Sequence, residues 1–309
     1  MSSAVHPDIV DAADRHAHAF AAAQPFRHVQ IEGFFAPAYL ERLRAEFPAF
    51  DPRYARNEEG GIGNKAVVER IRGIGPAYAE LDTLIQSKRF LGLISQITGI
   101  PDLLYDPWYF GGGTHENRHG QDLDPHIDFN RHPITGWHRR LNLIVYLNPE
   151  WESTWGGCLD LHRDPRAAGD QITRIVPLDN RCVIFETNEI SWHGFERIEL
   201  PEAQRGLSRR SIALYFYTQQ RPEDELAGTH STIYVERPLP AQLREGHALS
   251  AADLHQLQTL LGRRDQHIQR LYRDITRIST ELDAARALLA RSRVGRAIGF
   301  IRRVLVKLR

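Results

Sequence analysis

Between residues 103 and 218 the chain holds six short runs rich in β-branched and aromatic residues, at 103–110, 125–130, 140–148, 158–162, 181–187 and 209–218. Clusters of Gly, Pro, Asp and Asn close these runs. Strands so short and so numerous must bury one face each, and two sheets facing one another meet that need. The pattern predicts a mainly β fold with flanking helices, built as a double-sheet jelly roll. The helices come first. Residues 37–47 carry Pro at the first helical position, and residues 80–98 also read as helical. A short helix is expected within 1–25, a strand at 26–35 and a long, Gly-rich, charged loop at 51–75.

After Pro240 the strand character is lost. Leu261, Ile268, Ile275, Leu282 and Leu289 recur every seven residues, with Leu271, Ile278 and Ala285 three residues on. This a/d seam, interrupted by Arg264, predicts a coiled coil and a homo-oligomer through 261–289. A lone amphipathic helix folded back on the rest of the chain is the alternative. The stretch 291–309 is basic and contains no acid. Its Val294, Ile298, Ile301, Leu305 and Leu308 share one helical face, which suits peripheral contact with an anionic membrane surface or packing on its own chain or a partner. The expected division is 1–240, with a core of about 100–220, and a helical extension at 241–309.

The 39 Lys and Arg balance 39 Asp and Glu, so the net charge gives no electrostatic reason to bind nucleic acid. Two cysteines, Cys158 and Cys182, make no disulfide framework and suit a reducing cytoplasm. The first twenty residues lack a basic start followed by an apolar run, and no stretch reaches the roughly 18 apolar residues of a membrane span. The expected location is cytoplasmic, with the basic stretch at the inner face of the membrane.

The chemistry concentrates in DPHIDF at 124–129. His126 and Asp128 are two apart in a β-like run, so both side chains face one point. Imidazole nitrogen with carboxylate oxygen suits iron(II), and a third ligand completes one face of an octahedron. His193, in ISWHGF, lies 65 residues past Asp128 (193 − 128) and follows the strand CVIFE, which returns it across the fold. Arg209 stands sixteen residues further (209 − 193) and opens RRSIALYFY, sharing a face with Ser211, Ala213 and Tyr215. Its guanidinium is suited to a carboxylate, and Tyr146 adds a phenol donor. Parity with Tyr146 places Asn142 and Arg140 inward as well. His162 is a rival ligand, because LDLH ends a strand, but no arginine strand follows it at a suitable distance. Trp192 and Phe195 flank His193, either lining a pocket or packing.

The order HIDF, RRLNLIVYLNPEW, WGGCLDL, NRCVIFETNEISWHGF, RRSIALYFYT resembles the prolyl-4-hydroxylase-type branch of the 2-oxoglutarate and iron(II)-dependent oxygenases over about residues 100–220. The resemblance implies a double-stranded β-helix, iron on His126, Asp128 and His193, and the distal carboxylate of 2-oxoglutarate on Arg209 and Tyr146. It implies O2 as co-substrate, ascorbate as an aid, and hydroxylation rather than halogenation, since Asp128 fills the halide position. The approach to the metal pair, WYFGGGTHENRHGQDLDPHID, is longer and more Gly-rich than is usual there, and Tyr109 sits near the place of a substrate- or co-substrate-facing tyrosine. The C-terminal helices look similar to the coiled regions of surface-polysaccharide enzymes. Three functions compete: a hydroxylase of a small molecule or carbohydrate-linked group, a prolyl hydroxylase of proteins, and a non-catalytic coiled-coil scaffold.

Overall fold

The computed structural model describes residues 4–51, 66–235, 239–240 and 242–291. They fall into two compact units, Met1–Arg237 and Pro238–Arg309. The basic stretch after residue 291 lies outside the described residues.

The first unit opens with helices α1 (Pro7–Asp11) and α2 (Ala13–Ala22), strand β1 (His28–Ile31) and helix α3 (Pro37–Ala45). Strand β2 (Ala66–Val68) and helices α4 (Pro76–Ile85) and α5 (Lys88–Thr98) follow. The single helix expected at 80–98 is therefore two. Ser87 breaks it, because its Oγ accepts the Phe90 backbone N–H at 3.2 Å and starts a new helix.

Strands β3 (Leu104–Tyr105), β4 (Gly113–Asn117), β5 (Leu123–Ile127), β6 (His138–Tyr146), β7 (Leu159–His162) and β8 (Ile172–Ile175) come next. Strands β9 (Cys182–Glu186), β10 (Trp192–Phe195), β11 (Arg209–Thr218) and β12 (Ile233–Tyr234) complete the unit. One sheet runs β1-β9-β6-β11-β4-β2, with β3 also on β11, and the other runs β12-β5-β10-β7-β8. The ladders are antiparallel throughout. This is the mainly β, jelly-roll architecture that the strand pattern predicts.

Alternation along the central strands assigns the two faces of the first sheet. Leu141, Leu143 and Val145 of β6 and Ile212, Leu214 and Phe216 of β11 join the helices in one apolar core. Tyr146 of β6 and Val183 and Phe185 of β9 face the other way and pack with Leu159, Leu161 and Ile175 of the second sheet. The space between the sheets thus has an apolar floor, and the polar members of the inward rows stand above it.

Five strands escaped the sequence reading. Strand β2 lies inside the expected loop at 51–75 and β12 after the last expected strand, while β4 falls in the Gly-rich approach to the metal pair. Each is five residues or shorter and gains its pairing from a neighbour in the sheet, not from its own composition.

Among the described residues the second unit contains one helix, α6 (Ala251–Arg291), of 41 residues. Ser250 and Asp253 form its capping box. Ser250 Oγ accepts the Asp253 N–H at 3.1 Å, and the Asp253 carboxylate accepts the Ser250 N–H at 3.0 Å.

The WGG motif before β7 has a backbone reason. Gly156 sits at φ +69°, where a Cβ would run into the carbonyl oxygen of Arg197. Strain of about 2 kcal/mol follows for Gly156→Ala, which lowers Tm by roughly 5 °C for a domain of this size. Thermal unfolding measures it, and an unchanged Tm contradicts the close approach.

Candidate active site

Strands β5 and β10 pair with His126 directly opposite His193. Opposed residues share a face, so the imidazoles stand side by side with ring centroids 4.3 Å apart. The strands approach closely because residue 194 is glycine, where a Cβ would lie 2.7 Å from the Leu123 carbonyl oxygen. Asp128 lies just beyond β5, two residues after His126, and returns to the same face. Its Oδ1 is 3.8 Å from His126 Nε2, and its Oδ2 is 3.5 Å from His193 Nε2. One ligand atom from each of the three lies within 4.8 Å of the others, and no other such group occurs among the described residues.

Both histidines are prepared as ligands. Nδ1 of His126 lies 2.9 Å from the Asp124 carbonyl, and Nδ1 of His193 lies 2.9 Å from the Ser191 carbonyl. A carbonyl only accepts, so each Nδ1 carries the proton and each Nε2 keeps its lone pair for the centre. The same bonds fix the ring orientations, as carbonyls behind metal-bound histidines do. Tyr234 stacks on His126 at 5.1 Å, and Phe185 packs on His193 at 4.8 Å.

The carboxylate is held from the opposite sheet. Asn142 Nδ2 donates to Asp128 Oδ2 at 2.8 Å, and an Arg139 amino group lies 3.0 Å from the same oxygen. Arg139 is only 1% exposed. Its guanidinium sits over the rings of Tyr215, at 3.7 Å, and Phe129, at 4.5 Å, and donates twice to Asn142 Oδ1. Burial alone would raise the Asp128 carboxyl. Arg139 first, together with the Asn142 bond, outweighs it, and the two imidazoles add to this when protonated, so the group is held well below the usual carboxylate range. Asp128 therefore stays ionised, as a metal ligand must.

Arg139 replaces Arg140 in the expected inward row. The ladder pairs Asn142 with Tyr215 and Leu141 with Phe216, then skips to Arg139 opposite Tyr217. One extra residue in β6 reverses the alternation below the break. Arg139 turns inward, while Arg140 turns to Glu186 and Glu225, at 3.6 and 3.0 Å. A bulge has no signature in period-two counting, so strict parity chose the wrong arginine.

Arg209 and Tyr146 meet between the sheets. Arg209 is 5% exposed, its Nε donates to the Gly157 carbonyl at 2.6 Å, and Nη2 donates to the Tyr146 hydroxyl at 3.2 Å. Gly157, at φ +67°, turns that carbonyl toward the guanidinium. The ring of Phe195 lies 4.5 Å beneath it. Among the described residues no carboxylate pairs with Arg209. A buried guanidinium without a counter-ion is costly, and an incoming anion relieves that cost. Tyr146 is fully buried, and that burial, only partly offset by Arg209, raises its phenol. It remains a proton donor at neutral pH.

Other candidates fall elsewhere. His162 Nδ1 lies 2.6 Å from Asp170, whose other oxygen accepts the N–H groups of Arg163 and Asp164, so it pins a loop. Tyr109 donates to Asp82 at 2.8 Å within the helix-side core, behind the first sheet. Trp192 lies beneath the guanidinium of Arg166 at 4.4 Å. Of the residues missed in the sequence, Phe129, Arg139 and Tyr215 lie inside HIDF, RRLNLIVYLNPEW and RRSIALYFYT without a role read for them there, and Tyr234 carries no motif. Phe129 adjoins Asp128, and Tyr215 shares the period-two face of Arg209, which were the available signals.

Residues 112–217 match the family model of the 2OG-Fe(II) oxygenase superfamily. Prolyl 3-hydroxylase OGFOD1 of Mus musculus is 33% identical over 104 residues, covering 33% of this chain and 17% of that protein. The chain thus spans under a fifth of the length of this curated relative. Among solved structures, a Phytophthora capsici prolyl 4-hydroxylase is 19% identical, with a TM-score of 0.44, over 84% of this chain and 72% of that one. A Trichoplax adhaerens prolyl hydroxylase, in complex with a hypoxia inducible factor peptide fragment, is 15% identical over 70% and 96%, with a TM-score of 0.49.

Removing the Asn142 amide frees one side of Asp128. Asn142→Ala is expected to weaken iron(II) or cobalt(II) binding about tenfold in an anaerobic titration, the usual cost of losing such a support. Asp128→Ala abolishes binding over the same range. Equal affinities for both variants and the parent would refute the assigned ligand set.

Proposed function

Since residues 112–217 match the family model of the 2OG-Fe(II) oxygenase superfamily, we propose that the chain is an iron(II)- and 2-oxoglutarate-dependent dioxygenase that hydroxylates an organic substrate. The supporting observation is the pairing of two sites between the sheets: a His-Asp-His set with both Nε2 atoms prepared for metal, and a buried arginine without a counter-ion.

The donor set fits the metal. Two imidazoles and one carboxylate suit ferrous iron and leave further coordination positions for co-substrate and oxygen. Bound iron and 2-oxoglutarate supply the oxidising chemistry, with succinate, carbon dioxide and a hydroxylated substrate as products. The protein contributes placement. Arg209 and Tyr146 hold the far carboxylate of the keto acid with charged and neutral donors. Asn142, which touches the metal carboxylate, and Tyr146, which touches Arg209, lie four residues apart on β6. At about 3.3 Å per residue their Cα atoms are about 13 Å apart. Shortened by the side-chain reach at each end, that span suits a five-carbon keto diacid. The floor of Leu159, Leu161, Val183 and Phe185 keeps water from beneath it. Ascorbate is an expected aid in keeping iron ferrous.

The substrate has two readings. A small molecule or carbohydrate-linked group of surface polysaccharide assembly is supported by the likeness of the C-terminal helices to coiled regions of such enzymes. A prolyl residue of a protein is supported by the match to mouse prolyl 3-hydroxylase over 104 residues. Comparing glycans, small metabolites and peptide digests between a deletion strain and its parent separates them, since a one-oxygen mass difference marks the substrate class.

Anaerobically loaded protein exposed to air is expected to form succinate from 2-oxoglutarate. Arg209→Lys loses the forked contact, worth about 1.5–3 kcal/mol, and should raise the KM for 2-oxoglutarate roughly 10–100-fold. No succinate from iron-loaded protein with any of these substrate classes favours the scaffold alternative and contradicts this function.

A further inference from the structure

Helix α6 carries a heptad seam longer than the run from 261 to 289. Position a is Leu254, Leu261, Ile268, Ile275, Leu282 and Leu289. Position d is Leu257, Arg264, Leu271, Ile278 and Ala285. Ten of these eleven positions are apolar, so strict seven-residue spacing is kept from the capping box almost to the end of the helix. The six a residues, with Leu271 and Ile278, are each 45–58% exposed. A helix of this length, alone in water, does not leave such a stripe without an occupant.

We infer that the occupant is a second copy of this chain, joined to the first as a parallel, two-stranded coiled coil along Leu254–Leu289. Three observations carry this. First, only a partner with the same repeat keeps knobs and holes in step over about 52 Å, at 1.5 Å per residue. A globular partner needs no strict period. Covering eight half-exposed Leu and Ile, with the flanking stems, hides on the order of the 800 Å² per partner of a stable pair.

Second, the flanking charges choose protein over membrane. The charged residues at e and g are Asp253, Asp265, Asp274, Glu281 and Arg286, four acids to one base, whereas Arg263, Arg270 and Arg277 lie at c and Arg273 at f, away from the seam. An anionic bilayer wants cations beside the apolar stripe, and this helix puts mostly acids there.

Third, the parallel register is charge-compatible. A g residue meets the e residue five positions on in its partner, which sets Glu281 beside Arg286 of the second copy and opposes no like charges among these g and e pairs. Glu281 reaches Arg277 of its own helix at 3.2 Å, an exposed pair that is easily exchanged. Arg264 is the one polar layer. In a parallel pair it meets Arg264 of the other copy, with Asp265 of each helix flanking the two guanidinium groups at the next position, so this layer fixes register at a cost in stability.

Sedimentation equilibrium of the full chain is expected to give twice 35.4 kDa at micromolar concentration. Ile275→Asp should shift the equilibrium to single chains, with helical content by circular dichroism reporting whether α6 survives. Cysteine placement makes the result independent of that survival, because the native Cys158 and Cys182 are buried. Under mild oxidation Ile275→Cys should cross-link to a covalent dimer in high yield, while Arg277→Cys, on the outer face, should not. A mass of one or three copies for the parent overturns the inference. So does equal cross-linking at both positions, or flotation of a monomeric parent with phosphatidylserine-containing vesicles.

Discussion

The contact on which the rest depends is the grip of one sheet on a carboxylate from the other. Asp128 hangs past the end of β5, where nothing in its own strand fixes it. Asn142 and Arg139, from β6, take hold of its Oδ2 at 2.8 and 3.0 Å across the gap. That ties the two sheets together at the point where His126 and His193 converge. It also keeps the carboxylate ionised despite burial, so that three donors rather than two await a metal.

Charge explains the division of labour along the cleft. Arg139 is neutralised in place by Asp128 and is sandwiched by aromatic rings, so it acts within the protein. Arg209 is as deeply buried, yet its partners are a carbonyl, a phenol and the face of Phe195, none of them an anion. Two buried arginines on adjacent strands, β6 and β11, thus have opposite needs, and only one calls for a ligand. The backbone is shaped to this end at Gly157, which aims a carbonyl at Arg209, and at Gly194, which lets β10 close on β5.

Much of this was legible in the sequence, for identifiable reasons. The central strands β6 and β11 are long, at nine and ten residues, and alternate regularly on one side of the break in β6, so their faces there, and with them Tyr146 and Arg209, could be read by parity. His126 and Asp128 stand two apart in one extended run, which geometry alone places together. The short strands β2, β4, β8, β10 and β12 could not be read, because each owes its existence to a neighbour supplied by the fold. Arg139 was hidden by a single extra residue in β6 that swaps it with Arg140. Tyr234, which braces His126 from the added strand β12, is more than a hundred residues from its partner, and no local pattern connects them.

The central claim is that one divalent ion and one keto diacid occupy these two places at once. A crystal structure of the protein grown with manganese(II) and 2-oxoglutarate tests it most directly. The account predicts an anomalous peak about 2.1 Å from the Nε2 atoms of His126 and His193 and from one Asp128 oxygen, the bond length of comparable divalent ions. It also predicts the far carboxylate of the keto acid on Arg209 and Tyr146. A peak elsewhere, or a keto acid whose far end rests on Arg139, would contradict it.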